Sequence, residues 1–443
     1  MNWVWINQRP SKKRASDKRR ALFWLAPPKP CGLGARFAAN YHFMLYPLKF
    51  QPALKFYPYG GRRFVEVLEL DLPRDRDIAE LWAVADRGDD QSTVVNGPLA
   101  GQTLREVMDA QPAELVGGEV HARYGDYFPL LIKFLDCDKR LPAHMHPSDE
   151  TARALGMKDS GKSEAWYMVR SDAGAFAYCG AKPGLTGQKF ADAIAEGDTY
   201  DPVMKKIPTR TDDCYFVPPG RLHALDSGNL AFEVQQNSDA GFGWDWAGFV
   251  EAGVVGASEA ERHKSLAVEH ALYEDGTQEQ TRQVVLEDGG NERTFCCACR
   301  YFVLERLQIR GKTDFHDPQN RFNTFTLING AANITGNGEK VFAKRGESLI
   351  IPAGVDVEIS PNSLTNAGEV EILRCYVPDL QRDVVDFLRA SNVSDKEIAW
   401  LGSYGVGNDL LPLLGLPQDL FNTDMQERHE AAMEHKASRD ETS

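Results

Sequence analysis

The chain has 443 residues, enough for two or three domains around large cores. Its 42% hydrophobic and 26% charged residues are ordinary for a soluble globular protein, and eight cysteines over this length do not make a disulfide scaffold. A net charge of −14 argues against a general nucleic-acid or anionic-membrane binder, and no apolar run approaches the ~18 residues of a membrane span.

Residues 1–43 differ in character from the rest. Nine Lys and Arg stand there against Asp17 alone, a surplus of +8 that leaves the remainder at −22. The apolar run Ala21–Ala26 is six residues long and ends at Pro27 and Pro28, short of the ~7–15 residues of a secretory core, so no signal peptide is assigned. This segment is expected to be a basic, disordered extension, with translation starting at Met44. Further on, Ile78–Ala85 alternates like a strand carrying Glu80 and Trp82. Gly101–Gly117 places Leu104, Val107, Met108 and Leu115 near helical spacing.

The stretch from Phe128 to His223 carries the chemistry. His144 and His146 are two residues apart, so on a strand they share one face. If that face lines a barrel, an unpaired imidazole is costly to bury and a metal satisfies it. Glu164 opens the aromatic run Ala165–Val169, which reads as a buried strand. Pro218-x-Gly220-x-x-His223 is a tight turn feeding another strand, whose imidazole can close the ligand set from across the barrel. A lone strand histidine is usually a satisfied core residue. HxH, Glu and PxGxxH in that order are a sharper signal, and these donors suit a borderline divalent metal such as zinc.

Two helices, Gln188–Glu196 and Tyr200–Lys205, are expected to interrupt this barrel. A helix over Ser258–Tyr273, with Ser258 as cap and Glu261 three residues on, is expected to join it to a second unit. That unit, Arg282–Pro378, has strands such as Tyr301–Ile309, Asn323–Leu327 and Val370–Val377. Its Pro352-x-Gly354-x-x-Val357 echoes the earlier turn, with Val357 in place of the histidine. Its one histidine, His316, has no HxH partner, so this internal repeat is expected to be a structural barrel without metal. Cys296, Cys297 and Cys299 lack a paired CxxC and read as buried or free thiols in a reducing cytoplasm. Beyond Pro378 the pattern is helical. Asp379–Arg389 and Ser394–Trp400 are suited to pack on the barrels, and the polar Thr423–Ser443 is expected to fray.

Phe128–Asp136, His144–Glu150, Gly161–Tyr167, Val217–Leu225 and Glu233–Asp239 together resemble the motif blocks of type I mannose-6-phosphate isomerases, zinc enzymes of the cupin superfamily. The likeness spans roughly Leu45 to Pro378. It implies a mainly β fold of two cupin (jelly-roll) barrels with helical insertions and a helical C-terminal extension. The expected boundaries are a basic extension at 1–43, a metal-binding catalytic barrel at 44–249, a helical connector at 250–283, a second barrel without metal ligands at 284–378, and a helical extension at 379–443. The resemblance implies one Zn²⁺ on His144, His146, Glu164 and His223. It makes Lys133 and Glu233 catalytic and assigns Glu80, Trp82 and Lys162 to substrate. A lysine desolvated beside a metal is expected to lose its proton readily and serve as base. The expected activity interconverts mannose 6-phosphate and fructose 6-phosphate through an enediol, in the cytoplasm, with no nucleic-acid or membrane partner.

Three positions depart from the family pattern. His144 stands where the family commonly has Gln, Pro142 where it has a serine linked with substrate phosphate, and Gly243 where it has an arginine proposed to act in catalysis. Arg62 and Arg221 are the candidates to replace that arginine in space. The departures leave two alternatives: an isomerase of a non-phosphorylated sugar, or a metal-containing sugar-binding or regulatory protein without turnover.

Overall fold

The computed structural model describes residues 44–273, 280–362, 368–402, 406–418 and 420. The expectations for 1–43 and for 423–443 fall outside the described residues. Eight of the strands that build the first half are β1 (Leu48–Gln51), β2 (Glu80–Val84), β3 (Leu130–Cys137), β4 (His144–Met145), β5 (Glu164–Ser171), β6 (Phe176–Ala181), β7 (Cys214–Val217) and β8 (His223–Leu225); β9 (Asn229–Gln236) follows them. One antiparallel sheet runs in the order β7-β5-β9-β3-β2 and ends on Ala53–Lys55. The other carries β6, β8 and β4 between Met204–Pro208 and Phe242–Gly243. Every residue of β3 and β9 is buried, because one face looks into this barrel and the other onto the second half.

The second half repeats the plan with β10 (Asn291–Ala298), β11 (Val303–Ile309), β12 (Thr313–Phe315), β13 (Asn323–Asn329), β14 (Ser348–Ile351), β15 (Val357–Pro361) and β16 (Val370–Tyr376). Its larger sheet has the order β10-β11-β16-β13-β14, and then takes in β1 from the N-terminal end of the described chain, with Leu48 opposite Ile350. Its smaller sheet pairs β12 with β15 and continues into Ala331–Gly336 and Glu339–Lys344. The halves share one core, in which Phe128 packs on Phe322 with ring centroids 5.0 Å apart and Phe216 lies near Phe302. The fold is mainly β, as expected.

Several helix expectations need correction. Gly101–Gly117 is broken into Leu104–Ala110 and Pro112–Val116, because a residue before proline disfavours helical backbone and Gln111 sits at φ −148°. Tyr200–Lys205 is not a helix. A single turn, closed by the Met204 N–H on Tyr200 O at 2.8 Å, leads straight into Met204–Pro208, which pairs as a strand with the edge of β6. The connector helix runs Ala257–His270 and is entered from Gly256, so Ser258 lies inside it and makes no cap. Toward the C-terminus, Ser394 and Glu397 form a capping box, and Ile398, Trp400 and Leu388 pack against Phe295 and Ala298 of β10. The seven described cysteines are buried and none is in a disulfide. Among the described residues no helix is long and apolar enough to cross a membrane.

Candidate metal centre and catalytic cleft

Three of the four sequence-predicted metal donors come from one sheet and the fourth from the other. His144 and His223 are direct cross-strand partners of β4 and β8, and His146 follows two residues on, on the same face. Gly220, at φ +82°, makes the turn into β8, and its N–H donates to the carbonyl of His146 at 2.8 Å. A Cβ there would meet Leu272 Cγ at 2.8 Å, so both backbone and space call for glycine.

Each imidazole is locked by a backbone acceptor 2.8 Å from its Nδ1: Pro142 O for His144, Ala240 O for His146 and Arg221 O for His223. Nδ1 therefore carries the proton, and every Nε2 presents a lone pair to the same point. The Nε2 atoms of His144 and His223 are only 3.0 Å apart. Two bare lone pairs at that distance repel unless a cation lies between or beside them. Burial pushes His146 and His223 down to about 3 and His144 well below its ordinary value, so the imidazoles are neutral at physiological pH.

From the facing sheet, Glu164 on β5 brings Oε2 to 3.3 Å from His146 Nε2 and Oε1 to 3.4 Å from His223 Nε2. Lys162 Nζ lies 2.8 Å from Oε2; against the cost of burial, its ammonium holds Glu164 ionised, well below the usual carboxylate range. With the imidazoles neutral and their protons on Nδ1, the two approaches to histidine are acceptor against acceptor, neither ion pair nor hydrogen bond. His146 Nε2 and both Glu164 oxygens stay buried without a hydrogen-bond partner. Orphaned acceptors of this kind, around three convergent imidazoles, fit a divalent cation.

Beside the candidate metal point, Lys133 of β3 stands between two carboxylates, 3.5 Å from Glu80 and 3.4 Å from Glu233. Register places it there, since Lys133 faces Trp82 of β2 on one side and Glu233 of β9 on the other. Burial alone would lower the lysine, but Glu80 and then Glu233 outweigh it and hold Lys133 above its ordinary value. Among these side chains alone the balance favours the ammonium, whereas the expected proton-yielding lysine is one standing beside a bound metal. Glu233 goes the other way. Burial and the charge of Glu164 raise it, its Oε2 accepts from Trp166 Nε1 at 3.0 Å, and its Oε1 is left without a hydrogen bond.

A cleft of about 540 Å³ opens onto these groups, and Glu80, Lys133, His144, His146, Lys162 and Glu233 all reach it. Trp82 is not among the lining residues. Its indole instead donates to Glu80 Oε2 at 2.7 Å and lies under Lys133, so it positions the carboxylate. Neither proposed replacement arginine reaches the cleft. Arg62 donates to the carbonyls of Pro73 and Arg76, and Arg221 is fully buried and donates to Phe216 O. Sequence reading missed the wall opposite. Trp246 lies so close over Gly243 that a Cβ there would sit 1.9 Å from the indole. Phe249 then stacks on Tyr57 at 5.5 Å.

The catalytic-domain model of type I phosphomannose isomerases matches residues 47–166, and the cupin-domain model of mannose-6-phosphate isomerases matches 291–377. The probable mannose-6-phosphate isomerase GmuF of Bacillus subtilis is 30% identical over 311 residues, 70% of this chain and 94% of that one. The chain belongs to the mannose-6-phosphate isomerase family. The family is one of isomerase enzymes. ManA of the same organism, a mannose-6-phosphate isomerase, is 27% identical over 317 residues. The crystal structure of a B. subtilis mannose 6-phosphate isomerase superposes with a TM-score of 0.63 at 25% identity, covering 75% of this chain and 100% of that one.

Proposed function

We propose that the chain is a zinc-dependent aldose–ketose isomerase that interconverts mannose 6-phosphate and fructose 6-phosphate through an enediol. The observation that carries this reading is the convergence of three Nε2 lone pairs and the Glu164 carboxylate, whose oxygens take no hydrogen bond, beside the Glu80–Lys133–Glu233 group in one cleft. His144, His146, Glu164 and His223 would hold the ion, and three imidazoles with one carboxylate suit zinc. When bound, the ion supplies a Lewis acid for the sugar oxygens at C1 and C2.

The remaining work falls to this chain's own side chains. Glu233 offers Oε1, an open acceptor on a carboxyl already raised toward neutrality, to take the proton from one carbon and return it to the other. Lys133 stays cationic and stabilises negative charge developing on the enediol oxygens. Lys162 keeps Glu164 ionised and faces the cleft, and Glu80, oriented by Trp82 and Tyr59, accepts from a sugar hydroxyl. A reducing cytoplasm accords with seven buried cysteines outside any disulfide.

A second reading, a non-phosphorylated sugar, draws on the far wall. Pro142 offers no donor, Trp246 occupies the space over Gly243, and Glu80, Asp159, Glu233, Asp239 and Glu259 outnumber Lys133, Lys158 and Lys162 around the cleft. Turnover of mannose 6-phosphate and of free mannose by zinc-loaded protein, each repeated after chelation, separates the cases. Metal-dependent turnover of the phosphate supports the first reading. Turnover of mannose alone supports the second. Turnover of neither, with metal bound, moves the assignment to a non-catalytic sugar-binding protein.

A further inference from the structure

The second barrel repeats the first residue for residue at its mouth, and its charges are inverted. In the first barrel Trp82 faces Lys133, which faces Glu233, which faces Trp166. In the second, Phe295 of β10 faces Glu305 of β11, which faces Arg374 of β16, which faces Phe325 of β13. The register irregularity after Trp82 recurs after Phe295. Two residues before each aromatic stands a charged residue, Glu80 in one case and Arg293 in the other. The carboxylate–lysine–carboxylate group Glu80–Lys133–Glu233 is thus mirrored by Arg293–Glu305–Arg374, with Glu305 2.7 Å from Arg293 and 3.0 Å from Arg374.

The metal positions map through the same pairing. His144 faces His223 as Phe315 faces Val357, and Glu164 faces Val217 as Asn323 faces Ile351, each partner standing just before the repeated proline. His146 then corresponds to Asp317. Asp317 takes hydrogen bonds from Arg321, Asn323 and Arg374, so these positions satisfy one another and hold no convergent lone pairs.

Over this network lies a cavity of about 270 Å³ whose lining includes Arg293, Thr313, Phe315, Asp317, Arg321 and Phe387. It is smaller than the pockets that take drug-sized ligands and matches a single small ring or polyol. Its arginines already face carboxylates: Arg293 and Arg374 on Glu305, Arg321 on Asp317 and Asp383, and Arg382 on Asp383 and Glu119. A dianion therefore gains no uncompensated cation. Arg293 gives Nε and Nη2 to Glu305 and also bonds Tyr376, whereas Arg321 gives Nε to Asp317 and Nη1 to Asp383, which leaves Nη2 of Arg321 outside these bonds. Forked donors beside carboxylate acceptors suit vicinal hydroxyls, and Phe315 and Phe387 offer apolar walls to a C–H face.

We propose that the mouth of the second barrel is a metal-independent binding site for a neutral sugar or sugar alcohol, separate from the catalytic cleft and without turnover. The test uses the zinc-loaded full chain with mannitol, which has no carbonyl to isomerise. Hydrogen exchange is followed in Asn291–Ala298 and Thr313–Phe315, and binding stoichiometry is measured alongside it. The expected result is slowed exchange in both segments that survives chelation of the metal and is unchanged by equimolar inorganic phosphate. Thr313→Trp, which fills the rim, is expected to abolish that protection with metal content and basal turnover intact. Mannitol that protects neither segment, protection lost on chelation or to phosphate, or protection that persists in a folded Thr313→Trp protein would each overturn the proposal. If Thr313→Trp does not fold, the wild-type exchange result with and without chelator decides alone.

Discussion

Replacing Lys133 with methionine keeps an unbranched side chain, one atom shorter, and removes its charge from between Glu80 and Glu233. At 3.4 and 3.5 Å, with an effective dielectric near 20, each pair is worth about 5 kcal/mol of direct attraction, most of it offset by desolvation. Stripping one partner from a buried group costs about 3–5 kcal/mol, because the charges left behind are unpaired. The loss to catalysis is that of one preorganised donor aimed at developing oxyanion charge, about 10²–10³ in kcat. The assay follows coupled formation of fructose 6-phosphate, with metal content measured on the same preparation. Metal is expected to stay, since Lys133 touches no proposed ligand. The acidic limb of kcat/KM should move upward. Glu233 must be ionised to accept a proton, and Lys133 is one of the cations that lower it. The variant should also recover stability as pH falls and Glu233 takes a proton. Wild-type kcat with the metal in place would refute the role given to Lys133, and loss of the metal would make that role structural.

His223→Ala removes one of three locked imidazoles and should abolish metal retention and activity together; full metal occupancy in the variant would break the ligand assignment. Glu305 is buried, yet Arg293 and then Arg374 hold it down at about 2 against an ordinary 4.5. Its stabilisation, about 3 kcal/mol, is present above pH ~4.5 and lost as pH falls toward 2. Glu305→Gln should therefore lower the unfolding free energy obtained from urea titration by roughly that much at neutral pH and flatten the acid loss, with metal content untouched. Gly243→Ala must displace the Trp246 indole, and its effect is expected in KM more than in metal binding. An unchanged KM would place the indole outside the substrate's reach.

Much of the site was legible in the chain because its spacing carries geometry. HxH on a strand puts two imidazoles on one face, and PxGxxH names the turn that returns a third. What spacing cannot convey is who stands across the sheet. Lys133 stands between Glu233 and Glu80, a residue some fifty positions earlier, and no spacing in the chain announces that pair of carboxylates. Arg221 was a candidate to substitute for an arginine, but the turn before β8 holds it fully buried. The repeat between Pro218 and Pro352 was visible, but the inverted charges around Glu305 emerge only once strand register pairs residues far apart in sequence. The helix misread at Tyr200–Lys205 has a tertiary cause: after one turn the open strand edge beside β6 takes the chain from Met204 on as a strand.

Strand β1 completes the larger sheet of the second barrel, facing a partner made roughly 300 residues later. At ribosomal speeds of about 5–20 residues per second, Leu48–Gln51 is kept waiting for roughly 15–60 s before Ser348–Ile351 leaves the exit tunnel. Throughout that interval the first barrel can close only without its hydrogen bonds to the second, and the edge of β1 that pairs with Ser348–Ile351 is left open. Nascent chains of this protein should consequently engage holding chaperones until the last barrel is made, and truncation before Ser348 should yield a sticky product rather than a working half-enzyme.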